Sequence, residues 1–227
     1  MDLEQALLLI TSPGHAPEEL WSAHAGRSVL TRPDQAIYSV RDPLDQVYLL
    51  VDGMVRLYVG EAKKARTSLF LRAPALFGDR DLVAGCTVSQ ESAQSVAQAR
   101  LLSWPAATLA ALLGSAGPAR DLVLCDLVRR YARSSRFSDY LALPLAARLT
   151  WLLLELAAGG DRLLPRYEIL ARLADSSAKS VGRAIGALQQ AGTLRLENDR
   201  RFALAAAAKD ELGVGELLGL FHRLVAL

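Results

Sequence analysis

Hydrophobic and polar positions change their period twice along this chain. From about residue 20 to residue 104, short runs of strand-forming residues are broken by turns. The segment 46–59 holds two such runs around Asp52-Gly53, a dipeptide that supplies the positive φ angles of a tight hairpin turn. Further runs lie at 65–71, 87–89 and 95–103, and Pro33-Asp34, Asp42-Pro43 and Ala73-Pro74 mark turns between them. Strands this short and this closely spaced predict a β-sandwich, roll or barrel.

From residue 117 the period lengthens. Leu122, Leu127, Tyr131, Ser134, Ser135 and Leu141 recur at roughly helical spacing, with Arg129, Arg130, Arg133 and Arg136 elsewhere round the cylinder. This predicts a long amphipathic helix ending near Pro144, with enough turns to form a seam with a second copy of itself. The alternative is a helix lying on its own domain. A second helix is expected over 145–158, stopped by Gly159-Gly160. Residues 161–204 then read as helix, turn, helix and hairpin. A last amphipathic segment, 209–227, carries Leu217, Leu220 and Leu224 but is weakened by Gly213, Gly215 and Gly219.

The 227 residues suffice for two small domains, and 52% apolar against 22% charged residues supports sizeable cores. No apolar run approaches the roughly 20 residues of a membrane span, and residues 1–15 carry Asp2 and Glu4 without a basic cluster. A cytoplasmic protein with no membrane partner is expected. Cys86, Cys125 and three scattered histidines show no metal-ligand spacing, so no metal is expected. No P-loop, nucleophile elbow or dinucleotide fingerprint occurs, which argues against an enzyme. The net charge of +2 is too small to signal nucleic-acid binding, so such a signal must be local.

It is local in the segment 162–209, where nine Lys/Arg face four Asp/Glu. Within it Ile169, Leu170 and Leu173 share one face of a short helix, and Ala171 is small where another helix could cross. Asp175-Ser176-Ser177 forms a turn ending in an N-cap hydroxyl. Val181, Ile185 and Leu188 give the buried face of a second helix, leaving Ala178, Lys179 and Arg183 on its exposed face or end, and Gly192 stops it. Residues 193–196 and 201–204, around a polar turn, then make a strand–turn–strand wing.

In this order the features resemble the CRP/FNR regulators, whose helix-turn-helix follows the pattern hydrophobic-Ala-x-hydrophobic-x-Gly-x-Ser-Arg-Glu-Thr-Val-x-Arg. Leu170, Ala171, Leu173, Ser177, Val181, Gly182 and Arg183 match it in register. The run 143–149, Asp52-Gly53 and Phe77-Gly78-Asp79 are also similar to family features. The resemblance implies an α+β protein: an N-terminal double-stranded β-roll like a cyclic-nucleotide-binding domain (1–114), a dimerisation helix (115–143) and a C-terminal winged helix-turn-helix with a helical extension (144–227). It further implies a homodimer on a palindromic double-stranded DNA operator, with RNA polymerase as a further partner. The DNA-contacting set would be Arg166, Ser176, Ser177, Ala178, Lys179, Ser180, Arg183 and Arg200.

Two departures alter the expectation. Ala178 and Lys179 replace the family's Arg and Glu, so its arginine–guanine and glutamate–cytosine contacts are both missing and a different operator is expected. In the roll, the effector pocket would comprise Gly78, Asp79, Glu91, Ser92, Arg133 and Ser134. Glu91 stands where cyclic-AMP-binding members carry an arginine, and like charges repel. The expectation is a regulator without cofactor and independent of cyclic AMP. The alternatives are a roll that holds a cyclic nucleotide or other anion with Arg133 as counter-charge, and a protein-interaction module with degenerate DNA binding.

Overall fold

The computed structural model describes residues 2–11, 26–60, 65–135, 137–158, 162–197 and 200–206. The chain divides into two compact units between Ser134 and Ser135, inside the segment 115–143 that the sequence sets apart. The expected helix at 209–227 lies outside the described residues.

The first unit opens with α1 (Leu3–Thr11) and runs through β1 (Arg27–Thr31), β2 (Ala36–Tyr38), β3 (Gln46–Asp52), β4 (Met54–Val59), β5 (Arg66–Arg72) and β6 (Ala75–Phe77). Then come α2 (Arg80–Val83), β7 (Ser92–Ser95), β8 (Ala99–Pro105), α3 (Ala106–Gly114) and α4 (Pro118–Ser135). The strands form two four-stranded antiparallel sheets, ordered β1-β8-β3-β6 and β2-β7-β4-β5. Leu50, Val55, Leu57, Leu71, Phe77 and Leu101 fill the roll's interior. Val47, Leu49, Val51 and Leu102 point the other way, onto Leu3, Leu7, Leu109 and Val123 of the helices. Both faces of β3 are therefore covered, which explains its nearly continuous apolar run.

Asp52-Gly53 does not close a hairpin. β3 pairs with β6 and β8, whereas β4 pairs with β5 and β7, so the dipeptide turns the chain from one sheet into the other. Glycine is required there twice over. Its φ is +93°, and an added Cβ would stand 2.6 Å from the carbonyl oxygen of Gln98. The run 87–89 is not a strand either. Val88 makes one isolated bridge to Pro43, which has no N–H to extend a ladder. The run 95–103 divides between the end of β7 and β8.

The helical stretch before Pro144 is present as α4 and α5 (Phe137–Ala142), with a different apolar stripe from the expected one. Ala119, Val123, Asp126 and Arg130 are buried and Leu127 packs on the core, at steps of three and four. The apolar residues facing outward are Leu124, Val128 and Tyr131, exposed by 36%, 69% and 81%. Arg130 is thus an inward residue, not one of the outer arginines the sequence places with Arg129.

The second unit continues with α6 (Leu145–Ala158), α7 (Tyr167–Leu173), α8 (Ala178–Gln190), β9 (Leu194–Leu196) and β10 (Phe202–Leu204). Its core joins Leu149, Leu152, Leu153 and Leu156 of α6 to Leu170, Val181, Ile185 and Phe202. Burying each such side chain contributes about 1.5–3 kcal/mol relative to exposure. Trp151 packs on Tyr140 with ring centroids 4.7 Å apart, and the Tyr140 hydroxyl donates to the Leu173 carbonyl at the end of α7. β9 and β10 pair antiparallel, Leu196 opposite Phe202, as the wing.

Candidate sensor cavity and nucleic-acid interface

In the roll, the turn after β6 carries Gly78 at φ +77°, which aims Asp79 at the inner face of α4. Asp79 is fully buried and Arg130 reaches it with two nitrogens: Nη1 donates to Oδ1 at 2.8 Å, and Nη2 donates to Oδ2. Nε of Arg130 lies 3.0 Å from Asp126, one turn earlier on the same helix. Burial pulls the Arg130 guanidinium down from its ordinary range, but Asp79 and Asp126 outweigh it and hold the charge more firmly than in water. A planar two-pronged donor on a carboxylate is the geometry in which a buried pair survives desolvation.

Beside this pair lies a second one. Arg80 donates through Nη1 to Glu91 at 3.0 Å and through Nη2 to Asp81 at 3.0 Å. Glu91 is almost wholly enclosed. Its burial raises the carboxyl to about 7, with Arg80 opposing and Asp81 adding to the rise. Ser92, expected to face an effector, instead accepts the Val40 amide N–H at 2.8 Å and belongs to the sheet's own bonding. Arg133 and Ser134 fall on the last turn of α4, and their side chains lie outside the described residues. Of the expected pocket residues, Gly78, Asp79, Glu91 and Ser92 lie on the roll, and Asp79 and Glu91 are paired with arginines of this chain.

The sequence reading missed Arg130 and Arg80. A signal for Arg130 existed: Ala119, Val123, Asp126 and Arg130 keep the inward phase of α4, with acid and base four apart. Nothing local marks Arg80.

Arg80 and Arg130 border a cavity of about 610 Å³ between β4, β5, α2 and α4. Its other walls are mainly apolar, from Leu57, Leu69, Val83, Leu127 and Val128.

In the second unit, α7 and α8 are joined by a turn whose backbone is closely held. Ser176 N donates to Ala171 O at 2.8 Å, and Asp175 sits at φ +47°, in the left-handed region where the family pattern has glycine. Ser177 then caps α8, its Oγ accepting from Ser180 N at 3.1 Å. With Val181, Ile185 and Leu188 buried, Lys179 and Arg183 project into solvent one turn apart. Ala178, Ser176 and Ser180 are half-buried along the same end. Arg166 is exposed at the start of α7, and exposed Arg200 in the wing donates Nη2 to the Pro165 carbonyl at 3.1 Å.

Residues 29–116 match the family model of the cyclic nucleotide-binding domain. No curated protein sequence matches the chain. Among solved structures, a CRP-family transcriptional regulator from Thermus thermophilus aligns over 88% of this chain and 100% of its own, at 21% identity and TM-score 0.65. FixK2 from Bradyrhizobium japonicum aligns over 84% and 96%, at 19% identity and TM-score 0.62. The c-di-GMP-responsive regulator CLP from Xanthomonas campestris aligns over 84% and 98%, at 18% identity and TM-score 0.62. The chain has the fold of the CRP/FNR superfamily. The expected α+β architecture, roll first and winged helix-turn-helix last, is the observed one. Among the described residues, no helix of this CRP/FNR-fold chain is long and apolar enough to cross a membrane.

Proposed function

We propose that this chain is a homodimeric, sequence-specific DNA-binding transcription regulator that works without cyclic AMP. The observation that carries the reading is α8: capped by Ser177, buried along Val181, Ile185 and Leu188, and presenting Lys179 and Arg183 outward. A helix of this kind enters the major groove by its N-terminal end, where Arg183 reaches a guanine edge and Lys179 a phosphate. The local surplus of nine basic over four acidic residues in 162–209 supplies the sequence-independent attraction. Arg166 and Arg200 flank the helix as phosphate contacts.

Dimerisation is supported by α4. Leu124, Val128 and Tyr131 are exposed at steps of four and three, the spacing of a coiled-coil seam. Independence from cyclic AMP is supported by the roll. The Asp79 carboxylate that would receive a ribose hydroxyl is bonded by Arg130, and Glu91 stands where the phosphate's counter-charge is needed. Such a dimer acts in the cytoplasm, by recruiting RNA polymerase or by occluding its site.

Selection of bound fragments from a random DNA pool at graded salt tests the reading. The expected result is a two-fold symmetric motif, half-sites about one helical turn apart, with affinity falling as salt rises. No enriched motif and no salt dependence would remove DNA from the function.

A further inference from the structure

We propose that the cavity under α4 binds an uncharged, largely apolar small molecule and rejects anions. The proposal rests on reading the roll as the sensing half of a regulator, and it names the chemistry that half would sense. Three observations carry it.

The first is size. About 610 Å³ bounded by two strands and two helices lies within the roughly 300–1,000 Å³ of small-molecule sites. The second is charge. The polar end of the cavity is lined by Glu91 and by the guanidiniums of Arg80 and Arg130, which between them hold four carboxylates: Glu91 itself, and Asp79, Asp81 and Asp126 outside the lining. Both guanidiniums are already paired to these carboxylates, so an entering phosphate or carboxylate must compete with them for either cation, inside a cluster of four acids and two bases. The third is the remaining surface. Leu57, Leu69, Val83, Leu127 and Val128 offer contact but no hydrogen bonds, while the Ser68 hydroxyl, shielded from solvent, has no partner among the described residues. Ser68 and Glu91 together suit one neutral polar head, such as an alcohol, on an apolar body.

The cavity also explains how occupancy would reach DNA. Leu127 and Val128 belong to α4, and Val128 is part of the outward stripe proposed as the dimer seam. A ligand filling the space stiffens the helix that carries the seam.

The test uses the purified full-length protein at pH 7.5 and the neutral fluorescent probe N-phenyl-1-naphthylamine. One probe per chain is expected, displaced by 1-decanol, at least tenfold less well by decanoate, and not at all by cyclic AMP. Ala84→Trp and Val83→Trp place an indole at exposed rim positions and should each weaken probe binding about tenfold without altering the melting curve. Glu91→Gln should leave 1-decanol unchanged and narrow its advantage over decanoate. Decanoate or cyclic AMP competing as well as 1-decanol overturns the proposal, as does probe binding indifferent to both tryptophan variants. Probe release on raising protein concentration, with 1-decanol inert, would assign the cavity to the second copy and also overturn it. The readout involves no DNA, so a protein that fails to select a motif yet binds 1-decanol refutes the regulator and leaves the cavity's ligand class standing.

Discussion

The two halves of this protein treat charge in opposite ways. In the roll, Asp79, Glu91 and Arg130 are almost wholly buried and matched to partners within the same unit. In the winged helix, Lys179, Arg183 and Arg200 stand in solvent around an apolar core. The difference has an energetic consequence. Removing a matched buried charge disturbs the fold, because its partner is left in a low dielectric without compensation. Removing an exposed charge leaves the fold intact and alters only what the surface can attract. Stability should therefore respond to the roll's arginines, and the proposed DNA affinity to Lys179 and Arg183 of α8.

The largest expected effect comes from Arg130→Ala, which strands the buried Asp79 and takes one partner from Asp126. Denaturant unfolding should show a loss of about 3–5 kcal/mol. Replacing Asp79 and Arg130 together by Leu and Met should recover most of it. If Arg130→Ala alone cost less than 1 kcal/mol, the roll would not depend on this pair and the contrast would fail.

Glu91 sharpens the contrast through pH. Its carboxyl is raised to about 7 from an unfolded value near 4.5, so between these values the native state holds the proton that the unfolded state releases. The stabilisation is complete below about pH 4.5 and is lost as pH rises through about 7. Between pH 5 and pH 8 the decline attributable to Glu91 should reach about 2–3 kcal/mol. Glu91→Gln should remove it, which parallel unfolding curves of the two proteins would reveal. An identical pH slope in both would show that Glu91 ionises as freely as in water.

On the other side, Arg183→Ala should weaken specific DNA binding by about 1–3 kcal/mol, measured by fluorescence anisotropy, while the melting temperature stays put. Lys179→Ala should reduce the salt slope by about one instead. A mutant that melts earlier but binds normally would reverse the assignment. The smallest effect concerns the turn. Asp175→Gly relieves a left-handed backbone angle and should stabilise the protein by about 0.5–1 kcal/mol, visible as a small upward shift in melting temperature.

The winged helix was readable from sequence because its determinants are local. Ser177 caps the helix that begins beside it, and Val181, Ile185 and Leu188 declare its buried face within a span of eight residues. Strand content and the order of the elements were readable for similar reasons. The roll's wiring was not. Asp52-Gly53 has the chemistry of a hairpin turn, and only the pairing of β4 with β5 and β7 makes it a corner between sheets. Asp79 and Arg130 are separated by 51 residues, and no local pattern announces a contact that folding alone creates. The outward stripe of α4 was misassigned because Leu122 and Leu127 are as apolar as Leu124 and Val128. The choice between the two sets is made by the roll, which covers Leu127 and leaves Val128 bare.

The distance along the chain between Asp79 and Arg130 also dictates an order of events during synthesis. Strands β1 to β8 leave the ribosome before Arg130 does, so the nascent roll has Asp79 to enclose without the arginine that pairs with it. Until α4 arrives, that carboxyl must stay hydrated. A fragment ending at Gly114 would retain those eight strands and remain caught at this stage, an incomplete barrel waiting for a residue it no longer encodes.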